Sequence, residues 1–173
     1  MFHSSTELLI DYWRRRCGGR PMPARADIDP SGFAALAAQA FIAVREAGGD
    51  LRLRLAGEAI LEMHGRRLAD QSLLRLWRPD HRGRLARLLG EALAYADPLV
   101  VTAEGDGAEL EILFAPLAGP DGAPDRFLGL YQPLRYGHVA LVGELSIRGI
   151  NGSVGDERPS HLRLAALDGR RIA

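Results

Sequence analysis

The stretch "LRLRLA" at 51 to 56 restricts the fold more than any other part of the chain. Leu51, Leu53 and Leu55 alternate strictly with Arg52 and Arg54, and only a strand sends successive side chains to opposite faces. A half-buried strand with the three leucines facing in is therefore expected. "AFIAVRE" at 40 to 46, separated from it by the turn-forming "AGGD", supplies the preceding strand of a hairpin.

The pattern around this hairpin is helical on one side. "EAILEMHG" at 58 to 65 reads as a short helix stopped by Gly65, and "DQSLLRLW" at 70 to 77 as another. After Pro79, Leu85, Leu88, Leu89, Ala92 and Leu93 form one apolar stripe, while Arg82, Arg84, Arg87 and Glu91 point elsewhere. Arg87 and Glu91 also stand at i, i+4. Three strand-like runs follow: "LVVTAEG" at 99 to 105, "ELEILFAPL" at 109 to 117 and "RFLGLYQPL" at 126 to 134, the last two joined by the turn "GPDGAP". Two strands, a helical cluster and three strands predict an α+β fold, a five-stranded antiparallel sheet with helices on one face.

An N-terminal helix precedes this core. Ser4 and Glu7 have capping-box spacing, Leu8, Leu9, Tyr12 and Trp13 share one side, and three arginines gather before Gly18 and Gly19. In "DIDPSGF", Asp29 before Pro30 has the chemistry of an N-cap followed by Pro at the first helical position. That leaves Asp27 and Asp29 with no need for a metal, since hard cations want six or more oxygens. The chain is divided as 1–26 cap helix and joint, 27–136 core and 137–173 C-terminal extension.

Charge narrows the partners. The 22 basic residues, every one an Arg, balance 22 acidic ones, so no global field favours nucleic acid. The lone Cys17 excludes an intramolecular disulfide framework and any multi-cysteine zinc site. "MFHSSTELLID" lacks the basic start and apolar run of an export signal, and no run reaches membrane-spanning length. A cytoplasmic protein is expected.

No G-x-S-x-G elbow, P-loop or helical His pair is present. Glu58 and Glu62 stand one turn apart without a nucleophile beside them, and read as a solvated face. "GINGSVG" at 149 to 155 reads as a loop, because no helix-forming segment follows it.

Order and residues together resemble the PAS fold, and more narrowly the single-domain PAS proteins of the PAS_5 type. The resemblance rests on the "YW" helix, the joint "RPMPARADIDP", the strand reading "LRLRLAG" and the run "GRRLADQSLLRLW", and spans about residues 3 to 136. It implies a non-enzymatic sensory or signal-transducing module whose inner sheet face and facing helices form a ligand pocket or a dimer-regulated surface; the leading reading is a pocket for a small apolar or amphipathic metabolite whose occupancy is passed to a partner protein. It also implies that the arginine and aspartate stretch is the joint between cap helix and core.

A flavin-photosensing branch needs a reactive cysteine in the pocket helix, whereas Cys17 lies in the joint, so a photoadduct site is not expected. A haem branch needs an axial ligand, with His81 and His64 as the candidates, and without a second motif haem is not expected either. Strand parity and helix faces select Leu53, Leu55, Ile60, Met63, Leu73, Trp77, Leu88, Ile112 and Phe114 as the pocket. The alternative function is a ligand-free scaffold in motility or cell-cycle signalling, in which Leu8, Leu9, Tyr12 and Trp13 make a homodimer or dock a regulatory protein. A third reading places an anion or cyclic nucleotide on Arg14, Arg15, Arg16 and Arg20. "LSIRGI" and "HLRLAAL" in the extension read as an added strand pair or as a tail that orders on a partner.

Overall fold

The computed structural model describes residues 1–135, 137 and 139–151. Its strands are β1 Ala40–Arg45, β2 Leu51–Ala56, β3 Leu99–Gly105, β4 Ala108–Ala118, β5 Pro124–Pro133 and β6 Ser146–Asn151, and its α-helices α1 Ser4–Cys17, α2 Glu58–His64 and α3 Pro79–Tyr95. They form one antiparallel sheet in the order β2-β1-β5-β4-β3-β6.

The sheet thus has six strands, not five. The added strand is "SIRGIN", which pairs with β3 and draws the start of the expected extension into the sheet. Its period is broken by a bulge: Ile147 faces Ala103 and Gly149 faces Thr102, leaving Arg148 over. "HLRLAAL" lies outside the described residues, as does "GINGSVG" beyond Asn151.

Helices cover both faces of the sheet rather than one. The reason lies in β4, where Leu110 to Leu117 are buried without interruption, so both sets of alternating side chains need cover. On the inner face, Leu110, Ile112, Phe114, Phe127 and Tyr131 pack against α2, α3 and the residues between them. On the outer face, Leu113, Ala115, Leu117, Leu128 and Leu130 pack against α1 and the turns that follow it.

The cap helix starts one residue earlier than a Ser4 cap would have it. His3 is the N-cap, its Nδ1 accepting from the Ser5 amide at 3.2 Å, and Ser4 is already helical. Gly18 ends the helix in the left-handed region. Trp13 Nε1 donates to the Pro116 carbonyl at 2.6 Å. That acceptor is available because β3 ends at Leu99 opposite Phe114, so β4 has a neighbour on one side only beyond this point. The joint takes the rest of that edge: the Ala118 amide donates to the Pro23 carbonyl at 2.9 Å. Asp27 accepts from the Ala24 amide at 2.9 Å and from Arg20 at 2.6 Å. Asp29 caps as expected, Oδ1 accepting from the Ser31 amide at 2.9 Å, although Pro30–Gln39 is 3-10 helix, kinked at Phe33.

"DQSLLRLW" yields a single 3-10 turn, Leu73–Leu76. Residues 70 to 72 are spent on the free edge of β2 instead, with the Asp70 amide donating to Leu53 O at 2.7 Å and the Leu53 amide to Gln71 O at 3.0 Å. The edge is thereby protected from pairing with another chain. Among the described residues no helix is long and apolar enough to cross a membrane.

Candidate functional site

The inner face carries a row of aromatic rings in edge-to-face contact. Phe127 meets Phe114 at 5.9 Å, Phe114 meets Phe41 at 5.6 Å, Phe41 meets Tyr131 at 5.8 Å, and Tyr131 meets the His64 imidazole at 5.9 Å. Close approach is built in at Gly129, which faces Phe41 across β1 and β5. A Cβ there would stand 1.9 Å from the Phe41 ring, so only glycine lets this buried ring lie flat on the strand.

His64 ends the row. It is buried at the last turn of α2, and its Nε2 has no hydrogen-bond partner among the described residues. Burial, with Arg66 adding to it and a hydrogen bond with the Leu141 backbone opposing, lowers its pKa to about 4, so the imidazole is neutral at pH 7. Burial pushes the Tyr131 hydroxyl above its ordinary range. The Nε1 of Trp77, also in the inner cluster, is likewise buried without a partner.

A strap closes this side. Residues 139 to 145 cross from β5 to β6 with Leu141 and Leu145 buried in the inner cluster. The Leu141 amide donates to Met63 O at 2.6 Å, the Leu145 amide to Leu76 O at 2.8 Å, and the Arg78 amide to Leu145 O at 2.9 Å. Arg82 pairs with Glu144 at 2.6 Å, and Asp106 accepts from the Gly143 amide at 2.7 Å.

Of the nine pocket residues expected from sequence, Leu53, Ile60, Met63, Leu73, Trp77, Leu88, Ile112 and Phe114 lie in the inner cluster. Leu55 does not: it is 50% exposed on the outer side. A bulge is the cause, since Ala43 faces Leu53 and Ile42 faces Leu55, leaving Arg54 over and reversing the parity beyond it. Inner-face residues left out of those nine include His64, Phe41, Phe127, Tyr131, Leu141 and Leu145. Tyr131 was accessible to the same argument, because it faces Ile112 in the β4–β5 register.

The four cap-helix residues divide differently. Leu9, Tyr12 and Trp13 are buried against their own sheet, together with Ile10, and only Leu8, 48% exposed, is left to a partner. An aromatic dimer face on α1 is therefore corrected to an intrachain core. The Tyr12 hydroxyl donates to Asp29 O at 3.0 Å and accepts from the Asp29 amide at 2.8 Å.

The arginine group does not converge on one point. Arg14 stands 3.6 Å from Asp11, Arg16 lies over the Tyr12 ring and Arg20 pairs with Asp27, an ion pair that holds the Asp27 carboxyl below its usual range. Burial raises the Cys17 thiol, against a smaller opposing effect of Arg20, and Cys17 packs with the outer cluster. His81 Nδ1 accepts from the Ile147 amide at 2.8 Å, so that nitrogen is committed to β6. Among the described residues no three His, Cys, Asp or Glu side chains gather as metal ligands.

A separate cleft of about 390 Å³ opens between the β1–β2 turn and α3, lined by Arg45, Glu46, Leu51, Leu89, Gly90 and Asp125 among others. None of the nine expected pocket residues lines it.

Comparison with known proteins places most of this chain in one family. A family model described as PAS domain, PAS_5, matches residues 1–132. Among solved structures, a LOV protein of Rhodobacter sphaeroides is 19% identical, with 62% of this chain and 69% of that chain covered and a TM-score of 0.47. An RNA-binding Light-Oxygen-Voltage receptor is 18% identical with a TM-score of 0.42, covering 65% of this chain and 35% of that one. No curated protein matches.

Proposed function

The chain belongs to the PAS_5 family of PAS domains, and from that premise we propose that it is a sensory module that holds a small neutral ligand between the inner sheet face and its helices and signals occupancy to a partner protein. The observation that carries the reading is the pair of orphaned hydrogen-bonding atoms, His64 Nε2 and Trp77 Nε1, inside an otherwise apolar cluster. A buried polar atom without a partner costs about 1–3 kcal/mol, and a bound molecule with one or two polar atoms removes that cost. The ligand is mostly apolar, because the lining is leucine, isoleucine, methionine and aromatic rings. It is uncharged, because His64 is neutral at pH 7 and, among the described residues, no charged side chain joins the row of rings.

Binding rather than catalysis is supported by the same chemistry. Neither His64 nor Tyr131 carries a charge near neutral pH, one being held well below it and the other well above. Partner contact falls to the outward side of α1, where Leu8 is exposed beside Glu7 and Asp11. The homodimer is one form such contact takes. The protein acts inside the cell on this reading.

Native mass spectrometry of gently purified protein tests the proposal. The wild type is expected to carry a discrete small-molecule adduct that His64→Leu loses. An adduct retained at equal occupancy in the variant, or a bare chain mass in both, would overturn it.

A further inference from the structure

We propose that the cleft between the β1–β2 turn and α3 is a second ligand site, one that takes a small amphipathic carboxylate, its apolar tail on α3 and its anionic head on Arg45. This site does not depend on the inner-face reading. Its floor is apolar: Leu51, Leu89 and Leu93 line it from β2 and α3. Small side chains keep both walls open, Ala86 and Gly90 one helical turn apart on α3 and Ala47 and Gly49 on the β1–β2 turn.

Gly90 is the telling position. Glycine in the middle of a helix is among the least favourable choices, and nothing lies within 4 Å of where its Cβ would be. No close approach therefore accounts for it. What a larger residue would do is fill the cleft.

The rim fixes the sign of the ligand. Asp125 is held bidentately by Arg126, at 2.6 and 2.9 Å, and Glu46 is paired with Arg54. Asp125 is thus neutralised and Glu46 shares the Arg54 guanidinium with Asp70, whereas Arg45 has no ion-pair partner among the described residues. An unpaired guanidinium above an apolar floor matches a carboxylate with a short hydrocarbon tail. The volume of about 390 Å³ lies in the range of small-molecule sites.

Amide-resolved NMR titration with decanoate, decanol and decyltrimethylammonium, each kept below micelle formation, tests the assignment. Decanoate is expected to shift amides around Arg45 to Leu51 and Ala86 to Leu93. Arg45→Gln should weaken it by about tenfold, the loss of one charge-assisted contact. Gly90→Met should abolish binding with a melting temperature no lower than wild type, since the helix gains a better former. No shifts, equal response to decanol or the cation, or unchanged affinity in either variant would overturn the site. Shifts confined to the surroundings of His64 and Tyr131 would also overturn it, while leaving the inner-face reading intact.

Discussion

Single residues carry the sharpest contrasts in this protein. Leu53 and Leu55 are two apart in a strictly alternating strand, yet the Arg54 bulge puts one in the inner core and the other half in solvent. Leu53→Arg should unfold the domain, burying an unpaired charge, whereas Leu55→Arg should change stability by no more than about 0.5 kcal/mol; denaturant melts of the two variants check this. His64 makes stability depend on pH. Its pKa is depressed from an ordinary 6.5 to about 4 in the folded state, so the unfolded chain binds the proton first. The full contribution is present above about pH 6.5 and is lost as pH falls towards 4. The loss is on the order of 3 kcal/mol, and His64→Leu should flatten that part of the stability profile. Exposed carboxylates such as Asp29, held low by Ser31, act only at more acid pH.

Elements show where sequence reasoning reached the fold and where it stopped. Local signals that agree with their packing were readable: the β1–β2 hairpin, the Gly65 stop of α2, the apolar stripe of α3 and the Asp29-Pro30 start all occur where residue chemistry puts them. Signals that depend on distant partners were not. The 3-10 turn at Leu73–Leu76 is short because residues 70 to 72 serve the edge of β2, and β6 exists because β3 offers an edge to a bulged, weakly alternating segment. The same dependence hid two features of the candidate site, the outward turn of Leu55 behind a bulge and the burial of His64 at a helix end. For α1, the buried Trp13–Pro116 bond is the anchor. Trp13→Phe leaves that carbonyl without its donor, at a cost of about 1–3 kcal/mol. Hydrogen exchange of residues 4 to 17 should then accelerate more than that of β4 and β5, as local opening of the helix requires.

At the scale of the whole molecule, one sheet separates two unlike halves. The outer half is a mostly apolar seam between α1 and the sheet, fastened to β4 by the Trp13 hydrogen bond, with Tyr12 tying α1 to the joint at Asp29. The inner half holds the row of rings, the neutral His64 and the strap whose Leu141 and Leu145 complete the core. The strap runs directly into β6, so the chain beside Met63 and His64 continues into the strand that pairs with β3. Sensing in this account rests on a hydrogen bond between His64 Nε2 and a bound molecule. The most direct test is a long-range proton–nitrogen NMR spectrum of the His64 imidazole, recorded on gently purified protein and again after unfolding, extraction of small molecules and refolding. A hydrogen-bonded Nε2 signal is expected in the first sample, shifting to its unbonded position in the second and returning when the extract is added back. Identical Nε2 signals in all three samples would contradict that hydrogen bond.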